Sequence, residues 1–241
     1  MSTSLNARKI PTKAKGPQQE PIDAGSYPAR VVQILDLGMQ PQPDYQGESK
    51  PPAHEIMLTY EFLDEFCVNE EGEVLEDKPR WLSETFPLRS LDSDLAKSTK
   101  RYKALDPDEK LEGDFTKLIE EPCTVVVVQN AGKGKNAGKV YNNIQSVSAM
   151  RPRDAAKAPE LVNPPKVFVL DEPDLEVFGS LPQWLQDKIK GNLDFGGSAL
   201  QEALEGPQKA AKPAGKAKPQ AKPQEPVDED VEGEPEEDQP W

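Results

Sequence analysis

Three short stretches interleave basic and aromatic side chains. KPRWLSETF offers Arg80 and Trp81, KSTKRYK offers Lys97, Lys100, Arg101, Tyr102 and Lys103, and GKGKNAGKVY offers Lys133, Lys135, Lys139 and Tyr141. Cations so placed can track a phosphate backbone, and flat rings can stack on unpaired bases, each worth about 1–3 kcal/mol. Tyr141 shares its strand face with Asn143 and Gln145 and is expected at the surface. The pattern around Trp81 fits a surface or a core position equally well.

Other chemistries find little support. A single histidine, His54, argues against a Ser-His-Asp triad and against histidine-ligated metals, and it begins an alternating strand pattern. Cys67 and Cys123 have no second cysteine nearby and read as free thiols. The segment GKGKNAGKV resembles a phosphate-binding loop but fails its spacing: three residues rather than four separate Gly134 from Gly138, and Val140 follows Lys139 where Ser or Thr is needed. No catalytic residue, cofactor or metal is expected, and the chain reads as a non-enzyme.

The net charge of −14 argues at first against a polyanionic partner, but the charge is segregated. Residues 78–103 carry seven basic and three acidic side chains, and residues 130–153 carry five basic and none acidic. Residues 61–77 hold eight carboxylates and no Lys or Arg. Such blocks allow one positive face on an acidic body. No run of 18 apolar residues and no apolar leader core occurs, so a soluble intracellular protein with no membrane contact is expected.

The elements that must carry these residues can be read from period and punctuation. A basic, proline-containing arm over 1–21 precedes a β-branched strand over 27–38 and a long loop with four prolines. The second strand, AHEIMLTYEFL, alternates: His54, Ile56, Leu58, Tyr60 and Phe62 face a core, and Glu55, Met57, Thr59 and Glu61 face water. The acidic stretch after it reads as a hairpin connection turning at Gly72, followed by a third strand over 80–88. A helix with Ser90 as N-cap over 90–105, and a short helical piece over 114–120, form a connection. CTVVVVQN reads as a strand buried on both faces, and a basic hairpin tip leads to a fifth strand over 140–150. Three strands, a helical connection and two strands is the order of the OB-fold, a five-stranded Greek-key barrel, here over 22–150. Residues 151–206 read as an extension packing on the barrel. In it, Leu181, Trp184, Leu185 and Ile189 recur at the spacing of a short amphipathic helix, with Pro182 in its first turn and Gly191 at its C-terminal end. A Lys/Ala/Pro linker follows over 207–224, and an acidic tail over 225–241.

The stretches GSYPARVVQILDLG, PPAHEIMLTYEFLDEF, PRWLSETFPL, KSTKRYKAL and APELVNPPKVF, with the lysine-proline linker and the acidic tail ending in an aromatic residue, resemble bacteriophage single-stranded DNA-binding proteins of the OB-fold type. The resemblance implies a barrel that coats single-stranded DNA in replication, recombination and repair, in the cytoplasm of an infected bacterial host. It also implies a tail that recruits replication proteins such as a DNA polymerase or helicase-primase, carried here by Asp228, Glu229, Asp230, Glu232, Glu234, Glu236, Glu237, Asp238 and Trp241. Trp241 stands where the family commonly has Phe. The DNA-contact residues have no sharp family motif and rest on the charge and aromatic pattern alone. A homodimer is left open. So is a different class of function, an adaptor or phage assembly protein whose β-domain binds another protein and whose acidic tail only solubilises.

Overall fold

The computed structural model describes residues 19–44, 47–132, 134 and 137–206; the linker, the acidic tail with Trp241, Lys133, Lys135 and residues 1–18 lie outside the described residues. The fold is mainly β. β1 (Gly25–Gln40), β2 (Ala53–Val68), β3 (Val74–Pro87), β4 (Pro122–Ala131) and β5 (Val140–Ala149) run antiparallel in the order β3-β2-β1-β4-β5. β6 (Lys166–Phe168) joins β1 in parallel through Gln33 to Leu35. β1 holds the sheet together: its first half pairs with β4, its second half with β6, and most of its length with β2.

The inward faces of the five long strands form one core, with Val31, Ile34, Leu58, Tyr60, Phe62, Phe86, Val125 and Val147. Tyr102 of helix α1 (Lys97–Leu105) and Phe115 of a 3₁₀ turn (Phe115–Leu118) complete it, their rings 5.1 Å apart. A second core lies on the other side of β1 and β2. There Leu35, Leu37 and Met57 pack against Phe168 and against Phe178, Leu181, Leu185, Ile189 and Leu200. The last five come from the segment holding α3 (Leu175–Ser180), α4 (Gln183–Lys190) and α5 (Ala199–Glu205), which follows the short α2 (Pro152–Ala155).

This second core corrects the expectation that β2 keeps one wet face, because Met57, Thr59 and Glu61 are all buried. Alternation assigns side chains to faces but does not say what covers each face. The β4 expectation changes the other way: Val125 and Val127 are buried while Val126 and Val128 are half-buried, so only one side of that strand meets a core. β2 and β3 also extend further than expected, to Val68 and Val74, leaving a tight turn in which Asn69 Oδ1 accepts from the amides of Glu71 and Glu73 and Gly72 takes φ +83°.

The helix expected from Ser90 begins only at Lys97, after turns, and its N-cap Ala96 supplies no side-chain hydrogen bond. Ser90 is used elsewhere: its carbonyl accepts from Thr99 Oγ1 at 3.1 Å. α4 keeps its expected limits, with Pro182 before it and Gly191 after it, but Trp184 turns outward and is 61% exposed. The described end of the basic arm is docked rather than free. Gln19 exchanges side-chain hydrogen bonds with the backbone of Val68, and just after the arm the Ile22 backbone exchanges hydrogen bonds with the Asn142 side-chain amide.

Candidate nucleic-acid interface

Strand register places Arg30, Glu61 and Trp81 in one row across β1, β2 and β3 on the outward face of the sheet. The indole Nε1 of Trp81 donates to Glu61 Oε2 at 3.0 Å, leaving the ring 41% exposed. Beside it on β3, Ser83 and Thr85 are also exposed. The segment 158–163 crosses the same row. Arg30 donates to the carbonyls of Pro159 (2.7 Å), Ala158 (3.2 Å) and Glu120 (2.8 Å), and Glu61 accepts from Val162 N (2.7 Å), Asn163 N (3.3 Å) and Asn163 Nδ2 (2.7 Å). The outward side of β1 and β2 is therefore occupied by the chain itself.

On the other edge strand, β5, Tyr141, Asn143 and Gln145 are exposed on one face, with Tyr141 at 41%. Cα atoms of β3 and β5 come within 8 Å, although no backbone ladder joins them among the described residues. α1 fills the opening. Arg101 reaches Glu84 of β3 through Nε (2.7 Å) and Nη2 (3.1 Å), and Nη2 also donates to the Gln145 carbonyl of β5 at 3.4 Å. Glu84 is completed by the Tyr60 hydroxyl at 2.9 Å and Lys97 Nζ at 2.9 Å. Burial pushes the Tyr60 phenol well above its ordinary value, so it stays a donor.

The expected contact residues divide accordingly. Arg101 is 6% and Tyr102 1% exposed, which takes both out of any surface for a ligand. Tyr102 instead donates to Asp106 Oδ2 and accepts from the amide of Gly113. This corrects the reading of KSTKRYK as a continuous contact stretch, since on a helix neighbouring residues cannot all face one way. Lys97 is half committed, bound to Glu84 and lying 5.6 Å over the Phe86 ring. Lys103 pairs with Asp94 at 2.7 Å in solvent, which raises its pKa and lowers that of the carboxylate. Lys100 and Lys139 are exposed, and Arg80 is half-buried with its guanidinium on the Glu20 carbonyl. Lys133 and Lys135, and the tail residues Asp228 to Asp238 with Trp241, lie outside the described residues.

Arg30, Glu61 and Asn163 escaped the sequence reading. The one available signal was the position of Glu61 between Tyr60 and Phe62, opposite a tryptophan across the β2–β3 hairpin. Among the described residues no three His, Cys, Asp or Glu side chains gather as a metal-binding group, and no helix is long and apolar enough to cross a membrane. No protein-family model and no curated protein matches the chain.

Proposed function

We propose that the sheet is an OB-fold barrel and that the chain is a sequence-independent single-stranded DNA-binding protein acting in phage replication, recombination and repair. The observation that carries this reading is the pair of half-exposed rings, Trp81 and Tyr141, on the outward faces of β3 and β5, the two edge strands that approach each other around α1. The strand order β3-β2-β1-β4-β5 with a helical connection between β3 and β4 supports an OB-fold, a barrel whose β2–β3 face and flanking loops bind oligonucleotides. Half-exposed rings read any base, and Lys100 of α1 with Lys139 of the β4–β5 connection supplies charge for phosphates. The acidic tail and Trp241 recruit replication proteins in this reading, in the cytoplasm of the host.

The test is a titration of fluorescent oligo-dT and of a matched duplex at 50 and 200 mM salt. Preferential binding of the single strand is expected, with a log-log salt slope of about −0.7 per phosphate neutralised. Equal or tighter binding of the duplex overturns the reading. A second reading, a protein-binding adaptor, draws on the outward Trp184 and the exposed Leu193 of the extension. It predicts no salt-dependent affinity for either nucleic acid.

A further inference from the structure

We propose that Glu61 is the positioning residue of the stacking platform: by anchoring the Trp81 indole edge to the 158–163 segment, it holds the ring in the plane an unpaired base meets. This inference rests on the single-stranded DNA reading above and specifies how that face is built.

Glu61 is a buried carboxylate, 1% exposed, directly across the β2–β3 pair from Trp81. It forms no ion pair among the described residues, although Arg30 is its cross-strand neighbour on the other side. Four N–H groups converge on its two oxygens: one from Val162 to Oε1, and three to Oε2 from Trp81 and Asn163. Burying a charge against neutral donors is costly, and an apolar residue would suit a strand whose only task is packing. What the site requires is a group that only accepts, because every partner facing it donates.

The consequence falls on Trp81. Indole has a single donor, so fixing Nε1 at 3.0 Å fixes the rotation of the ring. A large side chain on an edge strand would otherwise have to be ordered when it binds, and ordering such a side chain weakens association. Oε2 is shared between the indole and Asn163, so docking of the 158–163 segment and orientation of the ring are one arrangement.

The chain has three tryptophans, so substituting Trp184→Phe and Trp241→Phe leaves Trp81 as the sole reporter. In that background, oligo-dT should quench Trp81 emission. Glu61→Gln turns one acceptor oxygen into a donor facing donors. It should weaken oligo-dT binding about tenfold, within the range that one stacked base contributes, raise the mobility of Trp81 so that its emission anisotropy falls, and leave the salt slope unchanged. Asn163→Ala, which leaves Glu61 in place, should act in the same direction and serves if Glu61→Gln fails to fold. The deciding arm is Trp81→Phe, which keeps a flat ring but has no N–H: there Glu61→Gln should have no further effect on affinity. If it weakens binding equally in both backgrounds, Glu61 is merely structural and the inference falls. It also falls if Trp81→Ala binds oligo-dT as the unchanged chain does. Failure of the unchanged chain to bind oligo-dT at all would overturn the DNA reading itself.

Discussion

The Arg101 guanidinium forks onto the Glu84 carboxylate, with Nε on Oε1 at 2.7 Å and Nη2 on Oε2 at 3.1 Å, inside the body of the protein. Through this pair α1 is fastened to β3, and through the Gln145 carbonyl to β5. Among the described residues, the opening between the β3 and β5 edges is thereby filled by a helix rather than by a backbone ladder.

Removing Arg101 should leave the buried Glu84 carboxylate with the solvent-exposed Lys97 as its one remaining cation. Arg101→Ala is expected to cost about 3–5 kcal/mol in urea unfolding, whereas the double change Arg101→Met with Glu84→Leu should recover much of that loss. A single-mutant loss below about 1 kcal/mol, the range of exposed pairs, would contradict the closure described.

On the proposed single-stranded DNA function, the exposed cations and rings should separate by salt. Lys100→Ala and Lys139→Ala should each flatten the log-log salt slope of oligo-dT binding by about 0.7. Tyr141→Ala should weaken binding by about 1–3 kcal/mol with the slope unchanged. Lysine variants that bind as the unchanged chain does at 50 mM salt would remove this face from the interface.

Gly38 sits at a β1 irregularity with φ +73°, and a Cβ there would lie 2.7 Å from Asn192 Cγ and 2.8 Å from Leu170 Cδ1. Gly38→Ala should destabilise by about 1–3 kcal/mol, since it adds left-handed strain to a clash. Hydrogen exchange should accelerate first at Leu193, whose amide bonds to the Met39 carbonyl at 2.9 Å. Unchanged protection there would show that the extension does not depend on this glycine.

His54, the sole histidine, lies 2.6 Å from Asp36 Oδ1. That hydrogen bond raises its pKa, outweighing the opposing effect of burial. A raised folded value means that the pair stabilises fully below the unfolded value of about 6.5 and that this contribution fades as pH rises through the folded value. The two carbon-bound ring protons of this sole histidine should titrate above 6.5. The stability difference between the unchanged chain and His54→Gln should shrink from pH 6 to pH 8.5, and a flat difference would refute the pairing.

Cys123 is fully buried, and burial pushes its thiol far above the range in which thiolates form, whereas Cys67 is half-buried. A thiol reagent should label at most one cysteine per native chain and both in denaturant. Rapid labelling of two native thiols would contradict the burial.

The strands were legible in the sequence because pleating imposes a period of two whatever surrounds it, and valine runs favour strands locally. The turn at Gly72 and the limits of α4 were legible for the same reason, since turn and cap chemistry acts within a few residues. β6 was not: three residues carry no period, and their strand exists only because β1 offers an edge. Nor was the fate of Glu61, Arg101 and Tyr102. Their types suit solvent or a ligand equally well, and only segments distant in the chain, 158–163 for Glu61 and β3 with β5 for Arg101, supply the partners that bury them. Sequence by itself determined which side chains share a face; the tertiary structure decided which faces remain open, because burial of a polar group depends on partners brought from far along the chain.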